Sequence, residues 1–263
     1  MKKLSYLFIL LFGIISCEKD IDLNLKEIPP TPVVDACISN NSDESHIIIS
    51  MTKGFKRENS EYQYITDAQI SVTDNDGNQI PFYYDINANM YKTDVDAIPG
   101  KVYHFEASFD DYLITGEEAL LDVPVISDVN INLSADEYGF QQATCEIEIE
   151  DNSEDIDYYR IELIVDEEYE SYISYSFLTN EYEKDNDKFK FSSFLPETGT
   201  FTICVYHIPK NYYDFLTTLY DIGNSNYGQS PFNTTVMGNP ESNLNTKIGF
   251  FGSCSVAYET VNL

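Results

Sequence analysis

The sequence has no tryptophan, only three histidines and few basic residues, with 15 Lys and Arg against 45 Asp and Glu. The formal net charge is −30 over 263 residues. Such an acidic surface repels phosphate backbones and anionic lipid headgroups, so the composition argues against nucleic-acid binding and against direct contact with anionic membranes. Solubility outside a cell is the simpler interpretation of the charge, and a dedicated site for a cation or basic ligand is the alternative.

Motifs that carry catalysis or bind metals are also missing from the sequence. His46, His104 and His207 each lie in a strand-like pattern, and none has a second His or a Cys at metal-ligand spacing. No serine lies in a nucleophile elbow, and no glycine-rich phosphate loop occurs. Residues 74–78 are similar to a calcium loop, but Val72 would then be the first ligand, so we predict a hairpin turn instead. We predict no enzyme activity, no catalytic residue, no cofactor and no metal.

Cysteines are few, at five in the whole chain. The spacing of Cys37, Cys145, Cys204 and Cys254 matches no metal or redox motif, and all four lie in apolar strand-like runs. An exported location would permit their oxidation. Buried free thiols are our first interpretation, and one disulfide bridge among the four is the alternative.

One hydrophobic run stands out, at the start of the chain. Lys2 and Lys3 precede an apolar stretch at residues 4–15, which leads through small residues to Cys17. The stretch is too short to cross a bilayer comfortably as a helix, whereas a cysteine at its end can carry acyl chains. We predict a lipoprotein signal peptide at residues 1–16 and lipid attachment at Cys17. Removal of Lys2 and Lys3 leaves a mature formal charge of 13 − 45 = −32.

The rest of the sequence is patterned as short strands. After a linker at residues 17–32 that ends in a proline cluster, apolar and polar residues alternate between turn-forming segments, without a helical period before Pro124. We predict an all-β protein of two immunoglobulin-like or transthyretin-like β-sandwich domains, at residues 33–124 and 125–263. The second is predicted to carry a helix at residues 209–220, which Gly223 can terminate, and a long loop.

Tyrosine is abundant, with 21 residues beside 16 phenylalanines. Tyr169, Tyr172 and Tyr175 crowd one part of the second predicted sandwich. Exposed aromatic side chains can stack on sugars or anchor partner proteins, but core and cross-strand packing would use the same residues. We predict a candidate binding surface at these three tyrosines, with packing as the alternative.

Several segments together resemble a known family. They are the cysteine with its acidic leader at residues 18–23, the stretches 32–36 and 65–72, and the closing segments 231–233, 243–245 and 249–252. With these segments the chain resembles a Bacteroidota lipoprotein family, domain of unknown function 4249, over nearly its whole mature length. The first sandwich is also similar to carboxypeptidase-regulatory or transthyretin-type domains, with Asn89 in place of the usual glycine.

The resemblance implies a location and a partner. Families of this kind resemble companions of TonB-dependent outer-membrane transporters, and an acidic stretch after the cysteine resembles the signal for cell-surface lipoproteins. We therefore expect an outer-membrane lipoprotein, exposed at the cell surface, that acts as a non-catalytic binding or accessory subunit of a TonB-dependent transporter in nutrient uptake. The alternatives are a structural subunit of an outer-membrane protein assembly or stabilising complex, and a hydrolase with paired carboxylates.

Overall fold

The computed structural model describes residues 29–53, 63–135, 141–150, 156–166, 171–180, 183, 189–193, 199–225 and 240–262. The predicted signal peptide lies outside these ranges. Within them the chain forms fifteen strands, one α-helix and a short 3-10 helix at Ser42–Glu44. The strands are β1 (Pro32–Ser39), β2 (His46–Met51), β3 (Gln69–Asp74), β4 (Gln79–Ile80), β5 (Tyr83–Asp85), β6 (Met90–Lys92), β7 (Lys101–Phe109), β8 (Tyr112–Leu120), β9 (Ile126–Ala135), β10 (Gln141–Ile149), β11 (Tyr158–Asp166), β12 (Ser171–Asn180), β13 (Phe189–Ser193), β14 (Thr200–Ile208) and β15 (Gly249–Asn262).

The strands form three sheets. The largest has eight strands in the order β12-β11-β14-β15-β1-β2-β6-β5, and the others have the orders β4-β3-β7-β8 and β13-β10-β9. One face of the eight-stranded sheet packs against both smaller sheets, which builds two sandwich cores side by side. The predicted all-β class with sandwich domains is confirmed.

The last described strand, β15, joins the two sandwiches. Its first six residues pair in parallel with β1, and the residues from Ser255 to Asn262 pair antiparallel with β14. It lies in the range 125–263 that the sequence analysis assigned to the second sandwich, yet it also extends the sheet of the first. The boundary near residue 124 stays a prediction. The eight-stranded sheet contains strands from both predicted domains, so it does not by itself mark where one ends and the other begins.

The two cores draw on different strands. In the first, Val34, Ile47 and Phe105 are almost completely buried, together with Leu244 and Phe251 from the C-terminal part of the chain. The Phe105 and Phe251 rings stack with centroids 5.1 Å apart. The second core lies between β11 and β14 on one side and the three-stranded sheet on the other. Each buried aliphatic or aromatic side chain stabilises the fold by about 2 kcal/mol relative to exposure.

A helix covers part of the opposite face of the eight-stranded sheet. Helix α1 (Lys210–Ser225) begins after Pro209, whose carbonyl accepts the first helical hydrogen bond from the Tyr213 N–H at 2.9 Å. The predicted C-terminal end was wrong, because the helix continues past residue 220 and through Gly223. A glycine inside a helix costs only about 1 kcal/mol relative to alanine, so by itself it does not end one.

The turn at residues 74–78 confirms the predicted hairpin. Asp74 Oδ1 accepts the backbone N–H groups of Asp76 at 2.9 Å and Asn78 at 2.8 Å, and Gly77 takes a φ of 87°. The side-chain amide of Asn78, which donates to Asp74 Oδ2, is the main cause that lowers the pKa of Asp74. No group of three or more His, Cys, Asp or Glu that could hold a metal ion occurs among the described residues.

Candidate functional site

The structure locates only part of the predicted tyrosine surface. Cys17 and Tyr169 lie outside the described residues. Tyr172 and Tyr175 lie on β12, the outermost strand of the eight-stranded sheet, where their backbones pair with Val165 and Leu163. Their side chains are outside the described part, so the predicted binding role of these tyrosines stays a prediction.

The three histidines make local contacts with backbone and carboxylate oxygens and do not come together in the fold. Their nearest partners are the Glu44 carbonyl at 3.2 Å from His46 Nδ1, Glu117 Oε2 at 3.4 Å from His104 Nδ1, and the Asp122 carbonyl at 2.9 Å from His207 Nδ1. The Nε2 atom of His207 also lies 3.2 Å from Asp157 Oδ1. Contacts of this kind are typical of histidines with a structural role.

All four described cysteines are buried and free, which agrees with the first of the two interpretations. Cys37 and Cys254 nevertheless touch, with their Sγ atoms 3.5 Å apart. The hydrogen bond between them raises the pKa of Cys37, which burial raises further, and lowers the pKa of Cys254, which the Arg160 charge lowers further. Burial raises the pKa of Cys145 and Cys204 to about 12, so these two thiols stay protonated and unreactive.

An apolar cleft lies between α1 and the end of the sheet at which the neighbouring strands β1 and β15 begin. Its volume is about 630 Å³, within the range of small-molecule sites. The apolar lining consists of Val33, Val34, Tyr212, Phe215, Leu216, Leu219, Pro240 and Ile248. Charged or titratable groups also reach it, namely Asp35, His46, Arg160 and Lys247. The combination of apolar walls and a few polar groups is typical of a ligand site.

Arg160 reaches the cleft from β11, over Tyr206. Its guanidinium lies 4.0 Å from the centre of the Tyr206 ring, and its Nε lies 3.4 Å from Glu162 Oε1. The Tyr206 hydroxyl is 3.1 Å from Glu44 Oε1 and 3.3 Å from Glu162 Oε2. Burial alone would lower the pKa of Arg160, but the Glu162 charge and other neighbouring groups together raise it above its usual value. Arg160 therefore keeps its positive charge in the cleft.

Lys247 also lines the cleft and lies just before β15. Its backbone adopts a φ of 61°, and its N–H donates to the Leu244 carbonyl at 3.1 Å. The turn continues to Gly249, where φ is 87° and an added Cβ would lie 1.9 Å from the Val34 carbonyl oxygen. Only glycine fits there, so β1 and this turn are held in one arrangement. Lys247 also borders two adjoining cavities, of about 540 and 580 Å³.

A family model described as Domain of unknown function (DUF4249) matches residues 18–260. The chain belongs to this family. Among curated proteins, none matches it. The α-helix that the structure describes in this DUF4249 chain is not long and apolar enough to cross a membrane.

The closing motif at residues 243–245 has a structural role in this DUF4249 chain. The Asn243 side chain pairs with the backbone of Phe251, with Oδ1 accepting the N–H at 3.0 Å and Nδ2 donating to the carbonyl at 2.7 Å. Asn245 pairs with Thr115 of β8, accepting its N–H with Oδ1 at 3.0 Å and donating its own N–H to the Thr115 carbonyl at 3.0 Å. Leu244, between them, is fully buried. The motif joins β8 to β15.

The sequence analysis of this DUF4249 chain missed Arg160 and Lys247. Arg160 is a basic residue inside the apolar alternating stretch of β11, which is a signal that could have been used. Lys247 does not depart from a local sequence pattern in this way. Its left-handed backbone conformation is evident only in the folded turn.

Proposed function

We propose that this DUF4249 protein is a non-catalytic binding subunit that holds a small molecule in the cleft between α1 and β1. The cleft itself carries the proposal, because it combines a volume of about 630 Å³ with apolar walls and the charged or titratable groups of Asp35, His46, Arg160 and Lys247. The absence of a metal-ligand cluster among the described residues and the separation of the three histidines give no support to a hydrolase.

The lipoprotein motif that ends in Cys17 supports a location for this activity. We propose that the protein is a Bacteroidota outer-membrane lipoprotein, exposed at the cell surface, whose first sandwich is of the carboxypeptidase-regulatory or transthyretin type. Asn89 adopts a φ of 54°, the backbone conformation for which glycine is usual, and this supports the likeness despite the departure in sequence. The partner would be a TonB-dependent transporter, to which the lipoprotein delivers its ligand.

Co-purification tests the partner. The native lipoprotein, with a C-terminal affinity tag, would be recovered from outer membranes in mild detergent and its companions identified by mass spectrometry. We expect a single TonB-dependent transporter in near-equal amount. Recovery of general outer-membrane assembly machinery would instead support a structural subunit. A Cys17→Ser variant is the matched control. Without the lipid anchor, it is expected to be absent from the outer-membrane fraction and to recover no transporter.

Protease treatment of intact cells tests the orientation. We expect degradation of the wild-type lipoprotein while periplasmic markers stay intact. Complete protection of the lipoprotein in cells with a sealed outer membrane would contradict surface exposure, and it would leave the transporter association to be judged by co-purification alone.

A further inference from the structure

The cleft is locally basic in a strongly acidic protein. Only 15 Lys and Arg occur in the chain against 45 Asp and Glu, yet Arg160 and Lys247 both line this one cleft. Asp35 is the only acidic residue among the lining residues of the described chain. Its carboxylate lies 3.8 Å from His46 Nε2. The lining therefore has two basic side chains against one acidic side chain, so its formal charge is 2 − 1 = +1, opposite in sign to that of the whole molecule.

Arg160 and Lys247 differ in whether an acidic side chain already lies beside the positive charge. Arg160 is stacked on Tyr206 and lies beside the Glu162 carboxylate. Lys247 is exposed, and no ion pair joins it to another residue of the described ranges. An incoming anion would gain most from Lys247, whose ammonium can form a charge-assisted hydrogen bond without giving up an existing partner.

The apolar walls of the cleft suit an apolar chain. Phe215, Leu216 and Leu219 present the helix side, and Val33 and Ile248 lie on the sheet side. Leu219 is 44% exposed, although it belongs to the apolar stripe of α1. Covering such surface with an alkyl chain contributes about 0.8 kcal/mol for each buried methylene group.

We propose that the cleft binds an amphipathic carboxylate, with its apolar chain between α1 and β1 and its carboxylate at Lys247. This inference rests on the proposed binding function and names the ligand class. The ligand is a free molecule and not a lipid in a bilayer, because the net charge of −30 would repel an anionic membrane. The bond to Lys247 is noncovalent, and no group is transferred.

Binding of three decyl compounds to the purified full-length lipoprotein, each below its micelle concentration, tests the ligand class. Decanoate carries a negative head, decanol a neutral one and decylammonium a positive one. We expect isothermal titration calorimetry to show tightest binding for decanoate and weakest for decylammonium. Equal affinities for decanoate and decylammonium would overturn the proposal, as would the absence of binding by all three compounds.

Lys247→Asn tests the residue, because asparagine tolerates the left-handed backbone conformation but carries no charge. We expect decanoate to bind about tenfold more weakly, because one charge-assisted hydrogen bond is lost, and we expect decanol binding to be unchanged. Lys210→Gln, which removes a charge from α1 outside the cleft, is the control. Unchanged decanoate affinity in Lys247→Asn would overturn the assignment of the carboxylate to this residue.

Leu219→Asn tests the apolar wall, and we expect it to weaken decanoate and decanol alike. Leu113→Asn, a change at another exposed leucine outside the cleft, is its control.

Vesicles of phosphatidylglycerol test the source of the ligand, and sedimentation of the protein with them would overturn the free-ligand part. If the transporter co-purifies but no decyl compound binds, the ligand class fails and the accessory function stands. If decanoate binds but no transporter is recovered, the ligand class stands and the accessory function fails.

Discussion

Glu118 gives the protein a stability that falls as the pH rises. The side chain lies on β8 and is only 6% exposed, while its Oε2 accepts hydrogen bonds from Asn211 at 2.7 Å and Asn243 at 3.3 Å. Burial raises the pKa of Glu118 from 4.5 to about 7, despite these hydrogen bonds and one from the Ala119 N–H. The folded protein therefore binds this proton more tightly than the unfolded chain does.

The magnitude follows from the difference between the two pKa values. A raised pKa in the folded state means that the contribution of Glu118 is fully present below pH 4.5 and is lost as the pH rises through about 7. The difference of about 7 − 4.5 = 2.5 pKa units corresponds to about 3 kcal/mol of unfolding free energy. Glu118→Gln removes the ionisation while keeping an acceptor oxygen, so it should remove this loss.

Urea unfolding followed by tyrosine fluorescence at pH 5, 6, 7 and 8 measures the effect. We expect the variant and the wild type to be similar in stability at pH 5, with the variant gaining about 3 kcal/mol over the wild type towards pH 8. Glu106→Gln, which removes an exposed carboxylate from the adjacent strand β7, is the control and should show no such gain. Parallel stability curves for Glu118→Gln and the wild type across this range would refute the reasoning.

Two substitutions and one thiol measurement probe the packing of β15 and its surroundings. Gly252→Ala should destabilise the protein by about 1–3 kcal/mol in urea unfolding, because the new Cβ would lie 2.6–2.8 Å from ring atoms of the buried Tyr212. Leu244→Ala should cost about 2–5 kcal/mol in the same assay, because it empties a fully buried site in the first core. Cys37 and Cys254 should both remain thiols in protein purified from the cell envelope, as measured by alkylation under denaturing, non-reducing conditions and mass spectrometry. Cys37 lies opposite Gly252, so Cys254 is two residues further along and its Cα is about 8 Å away, beyond the roughly 7 Å that a disulfide spans.

Each of these outcomes can be contradicted. Unchanged stability in Gly252→Ala would mean that the Tyr212 ring moves away without cost. A Leu244→Ala effect no larger than that of Leu113→Ala, at a 53% exposed site, would mean that Leu244 is not part of the core. A linked Cys37–Cys254 peptide, lighter by two hydrogens, would show that β1 and β15 shift enough to form the bridge.

Local features of this fold could be predicted from the sequence, because each depends on residues close together in the chain. The alternation at Cys145, Ile147 and Ile149 predicts one buried face, and all three side chains are buried. The turn chemistry at residues 74–78 and the first turn of α1 are local in the same sense. The extension of α1 through Gly223 was not predictable, because the cost of one glycine was smaller than the gain from the rest of the helix.

Pairings between distant segments could not be predicted. The run of apolar and small residues in β15 predicts a strand but not its neighbours, and β1 lies more than 200 residues earlier in the chain. The cleft depends on such a pairing, because Arg160 and Lys247 come from separate segments that meet only when β11, β14, β15 and β1 are side by side. The sequence pattern of one segment does not show which distant segment it will lie beside.

The shared strand also determines the order in which the molecule can be completed. The first sandwich begins at Pro32, but its core includes Phe251 and its β1 has a parallel neighbour only once β15 is present. A ribosome or an export channel that releases the chain from its N-terminus therefore delivers most of the first sandwich long before its final strand. Such long-range closure slows folding, so the first sandwich should be completed only after β15 has emerged.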